Sequence, residues 1–404
     1  MIGVFQVLRI CCAIGFLVGC PLGQLSAATL FSENVIVPLP ANHTHRGVTG
    51  SILQLSDKSL LMVYPFQWKG GDENALLEKY PTGGIAGRRS TDRGHSWSAP
   101  FLVQGPVGKG TISSPGLLRL SDGKIILHYD IQGTTYVNKE FREGFYEDTY
   151  VRISTDEGKT WTDQLCATSF MPGACHAMPG SLVQLSTGRL VLPCQTGTPV
   201  DNQRWVSLSS YSDDGGYSWW SSRNFVDLKG GKNSGTEEPV IAELQDGRLI
   251  MLCRSFVGYL TRSYSTDQGE SWSTPELVKE LQSSIPSPLD VSRIPHTDDL
   301  LVVWCHNPAG ARQAHGEKLP VVPVAQLKLP LGNVRAPLAT AISEDGGKTW
   351  KHHRDITTDP EGTFGDYGYP CITFIEDGTV ALITYNAIDG IRLARIGVDW
   401  FYGR

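Results

Sequence analysis

The sequence has little that would suit a membrane-spanning or helical protein. After residue 30 no apolar run approaches the ~20 residues that a bilayer requires. No stretch there keeps the 3.6-residue apolar period of an amphipathic helix over three turns, which argues against a helical bundle. Cys-x-x-Cys pairs are absent, which argues against a zinc site. The net charge of −6 provides no basic surface for nucleic acid.

Residues that make turns and aromatic-rich strands are abundant instead. The 404 residues include 44 Gly, 24 Pro and 10 Trp, a composition typical of an all-β protein. By length alone the chain could hold two or three ordinary domains.

Residues 1–28 have the character of a targeting segment. Arg9 precedes an apolar stretch at 10–18, and Ser26-Ala27-Ala28 supplies small residues for cleavage. We therefore expect export to the periplasm, the cell surface or the medium. An alternative cut before Cys20 would give a lipoprotein, and only lipidation of Cys20 would attach the chain to a membrane.

Six cysteines follow the predicted leader. Cys166 and Cys175 flank a short Pro/Gly loop, so a disulfide between them is plausible in an oxidising compartment. Cys194, Cys253 and Cys305 end apolar strands and are expected to be buried as small hydrophobic residues.

A turn motif with the pattern Ser-x-Asp-x-Gly-x-Ser/Thr-Trp occurs five times. Its Asp can accept hydrogen bonds from nearby N–H groups, its Gly can adopt positive φ, and its Trp can pack the turn onto a sheet. The pattern thus predicts a repeated hairpin turn. The copies begin at Ser90, Ser154, Ser212, Ser265 and Ser343.

A second repeat, of two apolar strands joined by a turn, interleaves with the first. It occurs six times, at roughly 63 residues per copy, which is the size of one propeller blade. We predict an all-β, six-bladed β-propeller of four-stranded antiparallel blades spanning residues 29–404. The last blade should close by pairing residues 391–396 with 35–38. The six copies begin at Gly50, Pro115, Gly180, Pro239, Pro288 and Pro370.

The turn motif is the Asp box, and the whole arrangement resembles the sialidase (neuraminidase) superfamily of six-bladed propellers. The resemblance implies an exo-glycosidase that acts on a sugar whose anomeric carbon carries a carboxylate. In that family three arginines clamp the carboxylate, a Tyr is the nucleophile, a Glu activates it, and an Asp protonates the leaving group.

Four residues match the family's motifs in order. Glu238 comes just before the fourth strand repeat, and the residues at this position in the other copies are uncharged. Arg254 comes just after the same repeat, where the other copies have an uncharged residue or, at Asp130, a negative one. They resemble the family's Glu and second Arg. Arg335, before Ala-Pro, resembles the third Arg, and Tyr369, before Pro370, resembles the nucleophile, with Tyr367 as a competitor.

The start of the first blade departs from the family's Arg-Ile-Pro. The nearest arginine is Arg46, a candidate for the first carboxylate-binding position. The candidates for the acid are Asp72, then Glu73, on a long loop before the first Asp box. Asp130 lies in an axis-facing slot and could contact the ligand or serve as the acid.

The resemblance therefore implies catalytic Tyr369, Glu238 and Asp72, with Arg46, Arg254, Arg335 and Asp130 binding substrate. The expected partner is a glycan, and no metal or organic cofactor is implied. Two alternatives stay open: a hydrolase or lyase for another acidic polysaccharide, and a propeller that binds carbohydrate without cleaving it.

Overall fold

The structure is a computed structural model. It describes residues 31–38, 49–67, 71–107, 110–133, 136–137, 140–141, 146–168, 175–197, 205–229, 235–324, 327–359 and 364–404. The predicted leader at 1–28 and Cys20 lie outside the described residues.

Strands dominate the described part of the chain. In chain order they are β1 (Phe31–Pro38), β2 (Ser51–Gln54), β3 (Leu60–Phe66), β4 (Gly84–Ser90), β5 (Phe101–Gln104), β6 (Thr111–Arg119), β7 (Ile125–Gly133), β8 (Tyr136–Val137), β9 (Glu140–Phe141), β10 (Tyr146–Ser154), β11 (Leu165–Cys166), β12 (Cys175–Ala177), β13 (Val183–Gln184), β14 (Leu190–Gly197), β15 (Trp205–Ser212), β16 (Trp220–Ser221), β17 (Thr236–Glu243), β18 (Leu249–Ser255), β19 (Tyr259–Ser265), β20 (Glu276–Gln282), β21 (Leu289–Arg293), β22 (Leu300–Cys305), β23 (Val321–Val324), β24 (Leu327–Pro330), β25 (Leu338–Ser343), β26 (Lys351–Asp355), β27 (Gly368–Ile375), β28 (Val380–Ala387) and β29 (Gly390–Gly397).

Helices are short. They are α1 (Asn74–Lys79), α2 (Pro308–Ala314) and α3 (Val398–Phe401), with 3₁₀ turns at Leu331–Asn333 and Glu376–Gly378. Within the described ranges, none of them has the length and apolar character to cross a bilayer.

The sheets form six four-stranded antiparallel units, which we call blades 1 to 6. Blade 1 is β2–β5, blade 4 is β17–β20, and blade 5 is β21, β22, β25 and β26. Blade 2 (β6, β7, β10, β11) and blade 3 (β13–β16) are joined into one sheet by β12. The first strands of all six blades surround one axis, as expected for a β-propeller.

Blade 6 closes the ring as predicted. Its strands β27, β28 and β29 come from the C-terminal end of the chain, and its outer strand is β1, which pairs with β29 from Phe31–Ile396 to Pro38–Gly390. The two ends of the chain thus cover each other's free edge.

The Asp boxes form the predicted turns. In the first copy, the Ser90 hydroxyl donates to Asp92 (2.8 Å) and accepts from the Gly94 N–H (2.8 Å), and the Ser96 hydroxyl donates to Asp92 (2.6 Å). The other four copies repeat these bonds. Gly94 has a φ of 89°, which explains the Gly of the motif.

The predicted disulfide is wrong. Cys166 and Cys175 are free thiols in the structure. Cys175 is fully buried and its thiol lies beside that of Cys194 in the core of blades 2 and 3, whereas Cys166 stays partly exposed outside that core. Cys194, Cys253 and Cys305 are fully buried, as expected.

A cavity of about 310 Å³ follows the propeller axis and is lined by the first strands of all six blades. Five of these strands present an aliphatic residue at the third position of the repeat, and the fifth blade presents Asp290. The carboxylate of Asp290 accepts the N–H groups of Val291 (2.8 Å) and of Ile372 on blade 6 (2.7 Å). Asp290 therefore ties blade 5 to blade 6.

We predict that Asp290 makes stability depend on pH. Burial raises its pKa to about 7, although the two N–H donors act in the opposite direction. Because the folded pKa lies above the unfolded value of about 3.9, the folded state holds an extra proton between about pH 4 and 7. Stability therefore falls as pH rises through that window, by up to about 1.4 kcal/mol per unit.

Melting temperatures of the wild type and Asp290→Asn, measured from pH 4 to 8, test this. The difference between the two proteins should shift in favour of Asp290→Asn as pH rises. A difference that stays constant across the range would exclude titration of Asp290 as its source.

Candidate active site

Three of the first strands carry a bulge at the end where they approach the axis. The residue just before the strand-repeat Pro adopts a left-handed conformation at Ser114 (φ 51°), Glu238 (φ 47°) and Tyr369 (φ 49°). Strand pairing shifts by one residue at each of these points. Such bulges re-aim side chains, and non-Gly residues with positive φ are uncommon outside constrained sites.

The bulge in blade 4 changes which acid faces Arg254. Between Val240–Leu252 and Glu243–Leu249 the pairing is regular, and its continuation would place Glu238 opposite Arg254. The extra residue instead pairs Glu237 with Arg254. The left-handed turn at Glu238 then brings both carboxylates to the same guanidinium.

Glu238 is the centre of the candidate site. Its Oε1 accepts a hydrogen bond of 2.8 Å from Tyr369 Oη, which crosses from blade 6 to blade 4. Its Oε2 lies 2.5 Å from Arg254 Nη1. Glu238 is buried, with 4% of its surface exposed, so these two contacts hold its carboxylate in place.

Tyr369 carries its proton at neutral pH. Burial, followed by the negative charge of Glu238, raises the pKa of Tyr369 to about 12, against the opposing effect of Arg254 and Arg335. The phenol is therefore a neutral donor to Glu238. It can become a nucleophile only if Glu238 removes its proton during the reaction.

Arg335 brings a second positive charge to the cluster. Its guanidinium carbon lies 5.8 Å from the centre of the Tyr369 ring, and its Nε donates to Pro286 O at 3.1 Å. Arg335 is 5% exposed, and its Nη1 has no hydrogen-bond partner among the described residues. A buried guanidinium N–H without an acceptor is suited to receive one from a ligand.

Glu237 is the residue of the site that the sequence pattern missed. Its Oε2 accepts from Arg254 Nε at 3.0 Å and also from Arg254 Nη2. Burial raises the pKa of Glu237, and the attraction of Arg254 only partly offsets this. The adjacent pair Glu237-Glu238 was the only indication of this residue in the sequence. A regular strand would point the two side chains to opposite faces, so the pair did not predict that both reach the site.

Blade 3 supports Glu238 from the side. The Glu238 N–H donates to Gln195 Oε1 at 2.5 Å, and Gln195 Nε2 lies 2.5 Å from His176 Nε2. The His176 ring meets Trp205 edge-on, with ring centres 5.5 Å apart. This chain of contacts fixes the backbone of the bulge.

The two loop acids occupy different environments. Asp72 has a side chain that is 55% exposed and accepts a hydrogen bond of 3.0 Å from Arg88. Glu73 is buried and bound to Arg88 (3.0 Å) and to Tyr64 Oη (2.7 Å). The structure gives neither acid a contact with Glu238 or Tyr369, so Asp72 stays a prediction as the acid, and Glu73 has a structural role.

The remaining predicted substrate-binding residues are Asp130 and Arg46. Asp130, on β7, is fully buried and accepts hydrogen bonds from Thr149 on β10 (2.6 Å) and from the Ala177 N–H on β12 (3.3 Å), so it ties blade 2 to the strand that joins it to blade 3. A contact between Asp130 and the substrate stays a prediction. Arg46 lies outside the described residues.

The site can perform acid–base chemistry beside an anion. Glu238, Glu237, Arg254 and Arg335 give two negative and two positive charges within one buried cluster around a neutral phenol. Nowhere in the described ranges do three His, Cys, Asp or Glu side chains gather as metal ligands would.

A family model described as a BNR repeat-like domain matches residues 66–382, most of the chain and all of the cluster. The chain belongs to this family. Curated relatives of the BNR repeat-like chain include the sialidase of Clostridium perfringens, 26% identical over 252 residues, and the anhydrosialidase of Macrobdella decora, 24% identical over 263 residues. These place it in the sialidase/BNR-repeat superfamily.

The matches cover 58% and 61% of this chain but 62% and 31% of the two relatives, so the chain spans less than two thirds of either. Among solved structures, a Dyadobacter fermentans protein of unknown function superposes with a TM-score of 0.66 at 18% identity, covering 91% of this chain and 99% of its own. At that identity the superposition supports the β-propeller fold.

Proposed function

We propose that this chain is a glycoside hydrolase of the sialidase kind, which releases a terminal acidic sugar from glycans with retention of configuration. The hydrogen bond from Tyr369 Oη to Glu238 Oε1, beside Arg254 and Arg335, carries the proposal. A phenol is a suitable nucleophile here because a carboxylate would repel the substrate's own anion.

Each group has a part in the proposed reaction. Arg335 Nη1 receives the sugar carboxylate. Tyr369 Oη attacks the anomeric carbon and gives its proton to Glu238 while the bond to the leaving oxygen breaks and that oxygen takes a proton from the acid. Water then attacks the same carbon and gives a proton to the ionised acid, while the bond from that carbon to Tyr369 Oη breaks. The phenolate oxygen takes its proton back from Glu238, and the sugar leaves with its original configuration.

Hydrolysis of a sialyl-lactose, followed by proton NMR, tests the proposal. The first product released should be the anomer with the configuration of the substrate. Release of the opposite anomer would exclude a Tyr369 intermediate, and no release would exclude sialosides as substrates.

We predict that Asp72 matters only when the leaving group needs a proton. Asp72→Asn should slow cleavage of sialyl-lactose by about 10²-fold or more but leave an activated aryl sialoside nearly unaffected, because a phenolate departs without an acid. The measurement is kcat/KM on both substrates, because kcat/KM reports the steps up to departure of the leaving group and kcat also includes the attack by water. Glu73→Gln, the neighbouring control, should instead lower the melting temperature, since it weakens the buried contacts to Arg88 and Tyr64. Equal slowing of both substrates by Asp72→Asn would exclude this role.

A further inference from the structure

Glu237 occupies the part of Arg254 that an incoming carboxylate would use. The planar guanidinium offers paired N–H groups along its Nε/Nη2 edge, which suits bidentate recognition of a carboxylate. In this chain both groups on that edge donate to Glu237 Oε2, and Nη1 is paired with Glu238. Arg254 is therefore already engaged by two anions of its own protein.

The charge balance of the cluster determines how costly it is to bind another anion there. The side chains of Glu237 and Glu238 are each 5% exposed and that of Arg254 is 12% exposed, so their charges are poorly solvated. With Arg335 included, the charges of these four described side chains sum to zero while both acids are ionised. A substrate carboxylate would add a negative charge that these four side chains do not compensate, which a buried site tolerates poorly.

We propose that Glu237 is a built-in competitor for the sugar carboxylate, so that an anionic sugar binds fully only with uptake of a proton by Glu237, which releases the Nε/Nη2 edge of Arg254. This inference rests on the proposed acidic-sugar site and adds a pH-linked specificity determinant to it. Burial of Glu237, which raises its pKa, favours the same protonation.

Three charged or titratable groups of the described residues face Glu237. They are Arg254 on β18, Glu238 on its own strand, and His176, whose charge acts on Glu237 from β12. Tyr369 reaches the cluster through Glu238 and stays protonated. His176 is thus the second titratable group to be separated from Glu237 in any test.

Isothermal titration calorimetry from pH 5 to 8 tests the inference, with N-acetylneuraminic acid, its methyl ester and glucuronic acid as probes. For the wild type, affinity for the acids should fall by up to about tenfold per pH unit as the linked proton becomes costly. Glu237→Gln should bind the acids at least about tenfold more tightly at pH 7 and with little pH dependence. The uncharged ester should show no linkage in either protein.

Three further variants distinguish Glu237 from a surface acid and from His176. Glu276→Gln removes a surface acid whose Oε2 receives Nε and Nη2 of Arg262 in the same way, and it should behave as wild type. Glu237→Asp keeps a titratable group and should keep the pH dependence. His176→Asn should also keep it; if the dependence disappears in His176→Asn but persists in Glu237→Gln, the proposal is overturned.

The outcomes separate this inference from the proposed function. If the protein hydrolyses sialosides but binds the acids independently of pH, only the proposed role of Glu237 is overturned. The same holds if Glu237→Gln binds the acids more weakly than the wild type. Proton-linked binding of glucuronic acid without sialoside hydrolysis overturns the sialidase proposal alone. If a folded Glu237→Gln protein fails to bind any sugar carboxylate, the proposal that Glu237 competes with the ligand for Arg254 is overturned.

Discussion

Tyr369→Phe is expected to abolish glycoside cleavage, with kcat on an aryl sialoside reduced by roughly 10³-fold or more. The substitution removes the only atom of the ring that can attack the sugar and leaves Glu238 without the donor at 2.8 Å. The ring and its packing near Arg335 are retained, so substrate should still bind. Steady-state kinetics should therefore show a loss in kcat and little change in KM.

Tyr367→Phe is the matched control. Tyr367 lies two residues earlier in the same Gly-x-Tyr-Gly-Tyr-Pro segment, but its hydroxyl donates to Asp359 at 2.8 Å and not to Glu238. It should keep kcat within a few-fold of wild type. Comparable losses in both variants would indicate damage to the segment and remove Tyr369 as the nucleophile.

Arg335→Met is expected to raise the KM for an acidic sugar by about 10²-fold, because it deletes the guanidinium that has an N–H available for the ligand. The melting temperature should stay the same or rise, since a buried N–H without a partner is costly to the folded state. Opposite signs for binding and stability would identify Arg335 as a ligand-binding group.

Arg354→Met provides the control for loss of an arginine packed on an aromatic ring. Arg354 lies in the same blade, 4.3 Å over the Trp400 ring, but outside the cluster. It should leave KM unchanged. If Arg335→Met lowers the melting temperature sharply and leaves KM unchanged, Arg335 is a structural residue.

The fold could be predicted because it repeats. Each Asp box contains the donors and acceptors of its own turn, and the five boxes alternate with six copies of the strand repeat, which mark where the six blades begin. The alignment of the blades then made Glu238, Arg254 and Tyr369 visible as charged or aromatic exceptions at equivalent strand ends. The structure brings these three residues together with Arg335.

What the sequence could not supply depends on single-residue shifts and on loops. The bulge before Pro239 moves the pairing by one position, so that Glu237 rather than Glu238 lies opposite Arg254. A Pro within a strand is compatible with a bulge, but Pro288 has the same position in blade 5 and Ser287 before it is not left-handed, so the residue types alone do not predict the bulge. Asp72 and Glu73 are adjacent on a loop without a repeat to align it, and only their contacts with Arg88 show that one is exposed and the other buried.

Trapping of the covalent intermediate tests the central role of Tyr369 most directly. The protein would be incubated with 2,3-difluorosialic acid, digested and examined by peptide mass spectrometry. We expect one sialyl adduct on the peptide that contains Tyr369, present in Tyr367→Phe and absent in Tyr369→Phe. An adduct on any other residue, or hydrolysis that continues without labelling of Tyr369, would contradict the proposed mechanism.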